Sequence, residues 1–309
     1  MRKLSNTQKI IICSAVIFSV FLTCVLSLFN FNWHDFFSKI QITSVITNNN
    51  LPYDLNVHFL DVGKADCVYI NHKNKNYNYN ILIDAGDKEP FSTVTEYLKK
   101  QGVKKLDLVI ISHPHRDHIG QIPEILREFK VSKFIEPDIP ENLVPTTMTY
   151  QNILHELQKR KINSEIVTHG KNYVLGDLYL EIFGPVSHNE NLNNNSIVLK
   201  LNYKNISFLF TGDAEKSEES QILNKNYDVK SDVLKVAHHG SRTSSTIKFI
   251  EKVAPKYCVI SVAPDKSNLP KPDIIKRLKK ISEEIYRTDL HGNIIFSTDG
   301  ENIEIFTQK

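Results

Sequence analysis

The chain has 309 residues, 41% of them apolar, which is enough to bury a sizeable core in one large domain or two small ones. Its net charge is only +3, and beyond residue 50 the chain balances at 34 basic against 34 acidic side chains. This balance gives no support for a generic nucleic-acid-binding protein, and four cysteines without a Cys-x-x-Cys spacing argue against a disulfide framework.

The N-terminal region contains an apolar run at residues 10–29 that has no charge, Pro or Gly. The run is long enough to cross a bilayer as a helix. Arg2, Lys3 and Lys9 precede it, so the positive-inside rule places residues 1–9 in the cytoplasm. The sequence therefore predicts a cell-membrane protein with a single transmembrane anchor.

The predicted anchor leads into a tether at residues 30–53 and a catalytic domain at residues 54–309, which would lie outside the cytoplasm. A cleaved signal peptide is the competing interpretation, but no small-x-small cleavage motif follows the apolar run. A lipoprotein attached through Cys24 is disfavoured because bulky residues stand before that cysteine.

The first elements of the domain are short strands. Residues 55–60 and 67–70 alternate as the two strands of a hairpin. Residues 81–83 form a third strand that ends at Asp84, and residues 91–101 are predicted to form a helix.

A histidine-rich turn follows an apolar strand at residues 106–111 and precedes an amphipathic helical pattern at residues 119–129. It contains four potential metal ligands, namely His113, His115, Asp117 and His118. Extended spacing pairs His113 with His115, whereas Asp117 and His118 at the start of the helix can face a second ion. Imidazole and carboxylate suit zinc, manganese or iron, and the alternative is a polar loop that happens to be rich in histidine.

Asp84 and Asp213 also stand at strand ends. If Asp84 lies beside the histidine turn in the fold, its carboxylate could orient a ligand imidazole through a hydrogen bond. Asp213 follows a strand at residues 206–210 and could bridge two ions roughly 3.5–4 Å apart, although Thr-Gly-Asp alone would indicate a turn. His169 and His188 lie in loops. Either could be the remaining ligand of the first ion, or an ordinary surface residue.

A third group of candidate residues follows the strand at residues 232–237. One of His238 and His239 could close the second ion, and the other could stabilise charge on a substrate; the bend favours His239 as the ligand. Arg242 and the neighbouring hydroxyl groups suit a phosphate.

The remaining regular elements are predicted from apolar patterns. The strands are residues 133–136, 166–167, 179–183, 196–201, 257–260, 284–286, 294–296 and 303–306, and the helices are residues 149–161 and 273–280. His291-Gly292 is interpreted as a hairpin turn between two of the last strands.

Taken together, these motifs resemble the metallo-β-lactamase superfamily. The matching residues are His113-x-His115-x-Asp117-His118, Asp213 and His238-His239. More narrowly, the chain resembles the hydrolase domain of competence DNA-uptake (ComEC-like) proteins over residues 54–307. That match is carried by His58-Phe59-Leu60-Asp61-Val62-Gly63, Leu82-Ile83-Asp84-Ala85-Gly86, Asn195-Ser196-Ile197-Val198-Leu199, Leu209-Phe210-Thr211-Gly212-Asp213 and His238-His239-Gly240-Ser241.

The resemblance implies an α/β fold, a four-layer αββα sandwich with a dinuclear metal site on one edge. The chain departs from the pattern at two places. Gly63-Lys64-Ala65-Asp66 stands where ComEC-like proteins usually have Gly-Gln-Gly-Asp, and the usual intermediate His ligand has no clear match. Asn195 falls in the region of that missing ligand and is expected beside the ions.

The predicted function is that of an extracytoplasmic hydrolase with two divalent ions, Zn²⁺ or Mn²⁺. Asp117 would accept a proton from the attacking water, while His238 and Arg242 would stabilise charge on the substrate. By resemblance, the substrate would be a phosphodiester, such as DNA, a nucleotide or a cell-envelope polymer. The alternatives are a β-lactamase or thioesterase on the same fold, and a non-catalytic surface binding protein. No feature of the sequence identifies a protein partner.

Overall fold

The computed structural model of the protein describes residues 47–309 except 76, 89–92 and 265. In chain order the described strands are β1 (Leu55–Phe59), β2 (Val68–Lys73), β3 (Asn78–Ile83), β4 (Lys105–Leu106), β5 (Leu108–Ile110), β6 (Lys130–Val131), β7 (Lys133–Pro137), β8 (Asn163–Val167), β9 (Asn172–Leu175), β10 (Leu178–Gly184), β11 (Val198–Tyr203), β12 (Ile206–Phe210), β13 (Val233–Lys235), β14 (Tyr257–Ile260), β15 (Glu284–Arg287), β16 (Ile294–Thr298) and β17 (Ile303–Thr307). The described α-helices are α1 (Thr93–Lys100), α2 (Arg116–Ile119), α3 (Ile122–Glu128), α4 (Met148–Arg160), α5 (Lys216–Asn224), α6 (Ile247–Val253), α7 (Pro272–Leu278) and α8 (Thr288–His291).

Two mixed sheets carry most of these strands. The first has the order β17-β16-β1-β2-β3-β5-β7-β8, and the second has the order β15-β14-β13-β12-β11-β10-β9. In the first sheet β3, β5, β7 and β8 run parallel, and in the second β12 to β15 do so. Because parallel strands end at the same edge of a sheet, the loops after β3 and β5 are neighbours, and so are those after β12, β13 and β14.

The two sheets pack face to face through apolar side chains that alternate along their strands. Phe59 lies 6.1 Å from Phe210, and Phe208 lies 6.2 Å from Phe296, measured between ring centroids across the interface. Burial of each such ring contributes roughly 1.5–3 kcal/mol to stability. The alternation that predicted these strands therefore also places the central core between the sheets.

Helices cover the outer face of each sheet. Helices α1, α3 and α4 pack on the first sheet through Leu98, Ile125 and Leu157. Helices α5, α6 and α7 pack on the second sheet through residues such as Ile222 and Ile250. The four-layer αββα sandwich implied by the resemblance is confirmed.

Several regular elements, including β9, α5 and α6, are not predicted from the sequence. Strand β9 and the helices α5 and α6 carry weak apolar patterns, and their pairing is fixed by contacts distant in sequence. The buried carboxylate of Glu219 in α5 accepts hydrogen bonds from the backbone N–H groups of Ser245 and Thr246, where α6 begins. The helix start itself is capped by the Thr246 hydroxyl, which accepts from the backbone N–H of Phe249, so Glu219 ties α5 to the segment just before α6.

The interpretation of His291-Gly292 as a hairpin turn is wrong. Strand β15 joins the second sheet parallel to β14, whereas β16 joins the first sheet antiparallel to β1. The segment between them crosses from one sheet to the other through the short helix α8. Short apolar runs predict strands but do not identify their partners, so the sequence could not reveal this crossing.

The predicted membrane anchor at residues 10–29, its cytoplasmic flank and most of the tether lie outside the described residues. Among the residues that the structure describes, none of the helices is both long and apolar enough to cross a bilayer.

Glu218 in α5 gives the sandwich a testable pH dependence. Burial raises the pKa of its carboxyl from 4.5 to about 7, and its hydrogen bond from the backbone N–H of Val186 (2.8 Å) only partly opposes this. The folded state therefore holds the proton more tightly than the unfolded state, and stability falls as pH rises from about 4.5 through 7. We expect Glu218→Gln, which keeps the acceptor oxygen, to be more stable than wild type at pH 8 by up to about 3 kcal/mol.

Urea unfolding of both proteins in EDTA, at pH 4.5 and pH 8, measures this difference. The gain in the free energy of unfolding should be present at pH 8 and largely absent at pH 4.5. An equal effect at the two pH values would contradict the prediction.

Candidate metal centre

The sequence-predicted ligands converge at one edge of the sandwich, where loops from both sheets meet. The first sheet contributes the turn after β5, which holds His113, His115, Asp117 and His118. The second sheet contributes Asp213 after β12, and His238 and His239 after β13. The proximity of these loops follows from the carboxyl ends of parallel strands lying together at each edge.

His113 and His115 face each other as the alternation predicted. The Nε2 atom of His113 lies 2.9 Å from Nδ1 of His115, and Oδ2 of Asp213 lies 3.9 Å from the same His113 atom. His113 is fully buried and His115 is half-buried. Two nitrogens and one carboxylate oxygen therefore border one possible ion position, which we call the first place.

Asp117 and His118 lie at the start of α2 and border another possible ion position, which we call the second place. Nε2 of His118 is 3.5 Å from Oδ2 of Asp213, and Nε2 of His239 is 3.4 Å from Oδ2 of Asp117. These separations exceed a well-formed hydrogen bond but suit donor atoms that share one ion. Asp213 borders both places through the same oxygen atom.

Partners outside the centre fix the orientation of two of the imidazoles. Oδ2 of Asp84 lies 2.8 Å from Nδ1 of His118, and the same carboxylate accepts hydrogen bonds from the backbone N–H and hydroxyl of Ser112, both at 2.7 Å. Nδ1 of His239 lies 2.9 Å from the carbonyl oxygen of Ser261, which follows β14. Each contact leaves Nε2 as the atom directed at the centre.

The centre is electrostatically suited to positive charge. Burial lowers the pKa of His118, but the carboxylates of Asp213 and Asp84 outweigh burial and raise that pKa well above its usual value. Burial raises the pKa of Asp213, but His118 and His239 reverse the effect and hold it well below its usual value. Burial lowers the pKa of His113, which keeps that imidazole neutral, the form that binds a metal.

The residues present fit divalent ions. Nε2 of His118, Nε2 of His239 and Oδ1 of Asp213 are buried and have no hydrogen-bond partner within the described part of the chain. Leaving such atoms unpaired is costly, so a ligand that they share would stabilise the fold. Donors within 4.8 Å of one another form three groups in the described part of the chain: His113 with His118 and Asp213, Asp117 with His118 and His239, and Asp66 with Asp84 and His118. The cluster is compatible with divalent metals, and the set of nitrogen and carboxylate donors suits zinc or manganese.

Three of the candidate residues lie elsewhere. Both polar atoms of the Asn195 side chain bond the backbone of the loop before it, at Asn189 N (2.9 Å), Asn189 O (2.7 Å) and Asn191 O (3.1 Å), so its amide shapes that loop instead of facing an ion. Arg242 lies on the exposed rim, where its Nε donates to Oδ1 of Asp273 at 2.8 Å. His188, one candidate to complete the first ion, pairs with Asp138 on the surface at 3.1 Å.

Asp66 and Lys235 form a buried pair behind the centre that the sequence did not reveal. Their Oδ2 and Nζ atoms are 2.7 Å apart, and both side chains are nearly inaccessible. The other oxygen of Asp66 lies 3.5 Å from Nδ1 of His239. The available signal was a lysine within an otherwise apolar strand.

Comparison with known proteins assigns the family. The sequence model of the metallo-beta-lactamase superfamily matches residues 60–263, which is well over half of the chain. The chain therefore belongs to the metallo-beta-lactamase superfamily.

Two curated relatives confirm the narrower resemblance to ComEC-like competence proteins. ComE operon protein 3 of Bacillus subtilis is 28% identical over 256 residues, which cover 77% of this chain and 32% of that protein. Competence protein ComA of Neisseria gonorrhoeae is 27% identical over 247 residues, 76% of this chain and 31% of that protein. The chain thus spans about a third of the length of these relatives.

A solved structure supports the fold. Igni18, a novel metallo hydrolase from the hyperthermophilic archaeon Ignicoccus hospitalis, superposes with a TM-score of 0.50 and 17% identity. The match covers 79% of this chain and 99% of that chain. At this level of identity the likeness concerns the arrangement of strands and helices alone.

Asp84 offers a direct test of how the centre is supported. Replacing Asp84 by Asn removes the charge that holds His118 and exchanges an acceptor oxygen for an N–H₂ group facing other donors. We expect the affinity for Zn²⁺ or Mn²⁺ to fall about 10–100-fold, with the fold retained. Calorimetric titration measures this, with Asp87→Asn, in an exposed ion pair with Arg116 in the adjacent loop, as the control. Equal affinities in Asp84→Asn and wild type would contradict the prediction.

Proposed function

We propose that this protein is a membrane-anchored phosphodiesterase that works outside the cytoplasm with two divalent ions, Zn²⁺ or Mn²⁺. The observation that carries the proposal is the convergence of buried, unpaired donor atoms from both sheets around Oδ2 of Asp213. A protein that only binds a surface ligand has no need to gather these groups where they lack partners.

Two bound divalent ions would supply a nucleophilic hydroxide near neutral pH and neutralise negative charge on the substrate. Asp117 is the carboxylate best placed to handle the proton, because its side chain is 30% exposed whereas that of Asp213 is 3% exposed. Burial raises the pKa of Asp117, but His239 and His118 outweigh burial and hold that pKa below its usual value, so the carboxylate is ionised.

A phosphodiester suits the rim of the centre. The loop after His239 presents Ser241, Arg242 and Thr243 to solvent, which are donors that pair well with phosphate oxygens. The ComEC-like relatives support DNA as the substrate, because one is named a competence protein and competence is the uptake of DNA. A nucleotide or a cell-envelope polymer offers the same chemical group to the ions.

The test is hydrolysis by the purified full-length chain in detergent. With Mn²⁺ or Zn²⁺ it should cleave bis-p-nitrophenyl phosphate and single-stranded DNA, and it should lose that activity in EDTA. Turnover of nitrocefin or a glutathione thioester without phosphodiester cleavage would instead identify a β-lactamase or thioesterase. Bound metal without turnover of any of these substrates would indicate a non-catalytic binding protein.

The anchor is proposed from residues 10–29 and the basic residues before them. We expect the protein to stay with membranes after alkaline carbonate extraction. Its domain should be digested by protease added to intact spheroplasts, with a cytoplasmic protein as the protected control. Release of the protein by carbonate would contradict the anchor, and protection of the domain would contradict its placement outside.

A further inference from the structure

The two possible ions of the proposed hydrolase do not receive equal sets of donors from the predicted residues. The second place is bordered by Asp117, His118, His239 and Asp213. The first place is bordered by His113, His115 and Asp213, and His118, within 4.8 Å of His113 and Asp213, lies between the two places. Asn195, in the region where the family's intermediate histidine stands, directs its amide into the neighbouring loop. The first place therefore has fewer side chains of its own than the second, which leaves room for a donor from another part of the fold.

His238 approaches Asp213, which borders both places, from the sheet opposite His113. Its Nε2 atom lies 3.8 Å from Oδ2 of Asp213, the same oxygen that lies 3.9 Å from Nε2 of His113. Donor atoms that share a tetrahedral ion at bond lengths of 2.0–2.1 Å lie about 3.4 Å apart. Both separations exceed that value by about half an ångström, so His113 and His238 each lie near enough to Asp213 to share an ion with it.

The other ring nitrogen of His238 is held as ligand imidazoles are. Its Nδ1 atom lies 3.2 Å from Oγ1 of Thr243 and 3.3 Å from Oε1 of Glu215. This matches the way Asp84 holds His118 and the Ser261 carbonyl holds His239. A carboxylate behind a histidine fixes the tautomer, directs the free nitrogen at the metal and raises its basicity.

The backbone at this point turns the two neighbouring imidazoles toward different places. His238 has φ 49° and His239 has φ 53°, and both are left-handed conformations that are unfavourable for residues with a β-carbon. The ring centroids are 6.1 Å apart and the ring planes differ by 67°. Such strain of about 1–3 kcal/mol per residue persists only where the surroundings require it, and function is the usual reason.

We propose that Nε2 of His238 is the third nitrogen ligand of the ion held by His113 and His115, with Glu215 as its positioning partner. The consecutive histidines are thereby divided, His238 to the first ion and His239 to the second. This inference rests on the proposed two-ion hydrolase. It replaces the expectation that His238 stabilises charge on the substrate.

The test measures the number of Zn²⁺ ions bound per chain, not catalytic turnover. Full-length wild type and His238→Gln are loaded with Zn²⁺, passed over a desalting column and measured by elemental analysis. We expect two ions per chain in wild type and one in His238→Gln, with Glu215→Gln keeping the site but binding its first ion about 10–100-fold more weakly. His188→Gln is the matched control, because it removes a surface histidine that also faces a carboxylate, and it should keep two ions.

A second measurement covers a variant that loses metal through misfolding. In the Co²⁺-loaded protein each ligand imidazole gives a shifted, exchangeable N–H proton resonance. Because His238→Gln is expected to lose the first ion, it should lose the resonances of His113, His115 and His238 and keep those of His118 and His239. Two ions at wild-type affinity in His238→Gln overturn the inference and leave the proposed function standing. No metal in the folded wild type overturns both.

Discussion

Replacing Asp213 by Asn will remove hydrolytic activity and most of the bound metal. One oxygen of this carboxylate lies within 3.9 Å of donor nitrogens on His113, His118 and His238, so it borders both ion positions at once. The amide has no charge to balance the ions, and it places an N–H₂ group where a donor oxygen or a cation is needed. We expect turnover of bis-p-nitrophenyl phosphate to fall by at least about 10²–10³-fold, the effect of removing one group from a preorganised charged site.

The metal count should fall with the activity, to one ion or fewer per chain. Asp138→Asn is the control, because Asp138 also pairs with a histidine but on the exposed surface. It should match wild type in both measurements. An Asp213→Asn variant that keeps its ions and its turnover would exclude this edge of the sandwich as the active site.

Breaking the buried pair of Asp66 and Lys235 will destabilise the protein more than any change to a surface charge. The two groups are 2.7 Å apart and nearly inaccessible, so Lys235→Met leaves a carboxylate buried without its partner. Removing one member of such a pair costs about 3–5 kcal/mol. For a domain of this size we expect the midpoint of thermal unfolding to fall by roughly 6–20 °C.

A double-mutant cycle separates the loss of the pair from the loss of either side chain. Asp66→Leu combined with Lys235→Met should recover most of the stability, because two apolar side chains leave no buried charge unpaired. The unfolding is measured in EDTA so that ions do not contribute. Lys99→Met, in an exposed pair with Glu128 (2.6 Å), is the control and should cost less than about 1 kcal/mol. Additive effects of the two central substitutions would show that the pair is not coupled.

The residues that converge at this centre could be found from the sequence because each belongs to a short, local motif. His113, His115, Asp117 and His118 lie on one turn, and Asp213 and His239 each end a strand whose apolar pattern is plain. Most strands and helices of the sandwich followed from similar local patterns, since alternating strands and amphipathic helices are determined by nearby residues. Their arrangement in four layers was implied by the resemblance to the superfamily.

What could not be predicted depends on contacts between distant parts of the chain. Asp66 meets Lys235 only because the turn after β1 and the end of β13 reach the same edge from different sheets. The group of Ser261 that orients His239 is its backbone carbonyl, so the residue types in the sequence do not reveal this contact. The crossing through α8 depends on which sheet still has an unpaired edge, and this is a property of the assembled fold.

Because the donors lie at the boundary between the two sheets, bound metal would affect how long the protein resists unfolding and proteolysis. His113 and His118 come from one sheet, and Asp213 and His239 come from the other. An ion bound by both sides is a removable cross-link between the two halves of the sandwich. At free metal a thousand times the dissociation constant, each ion would add about 4 kcal/mol to the free energy of unfolding. Depletion of metal would then do more than stop turnover, because a protein without its cross-links opens more often to proteases, and metal supply would set how long each molecule survives.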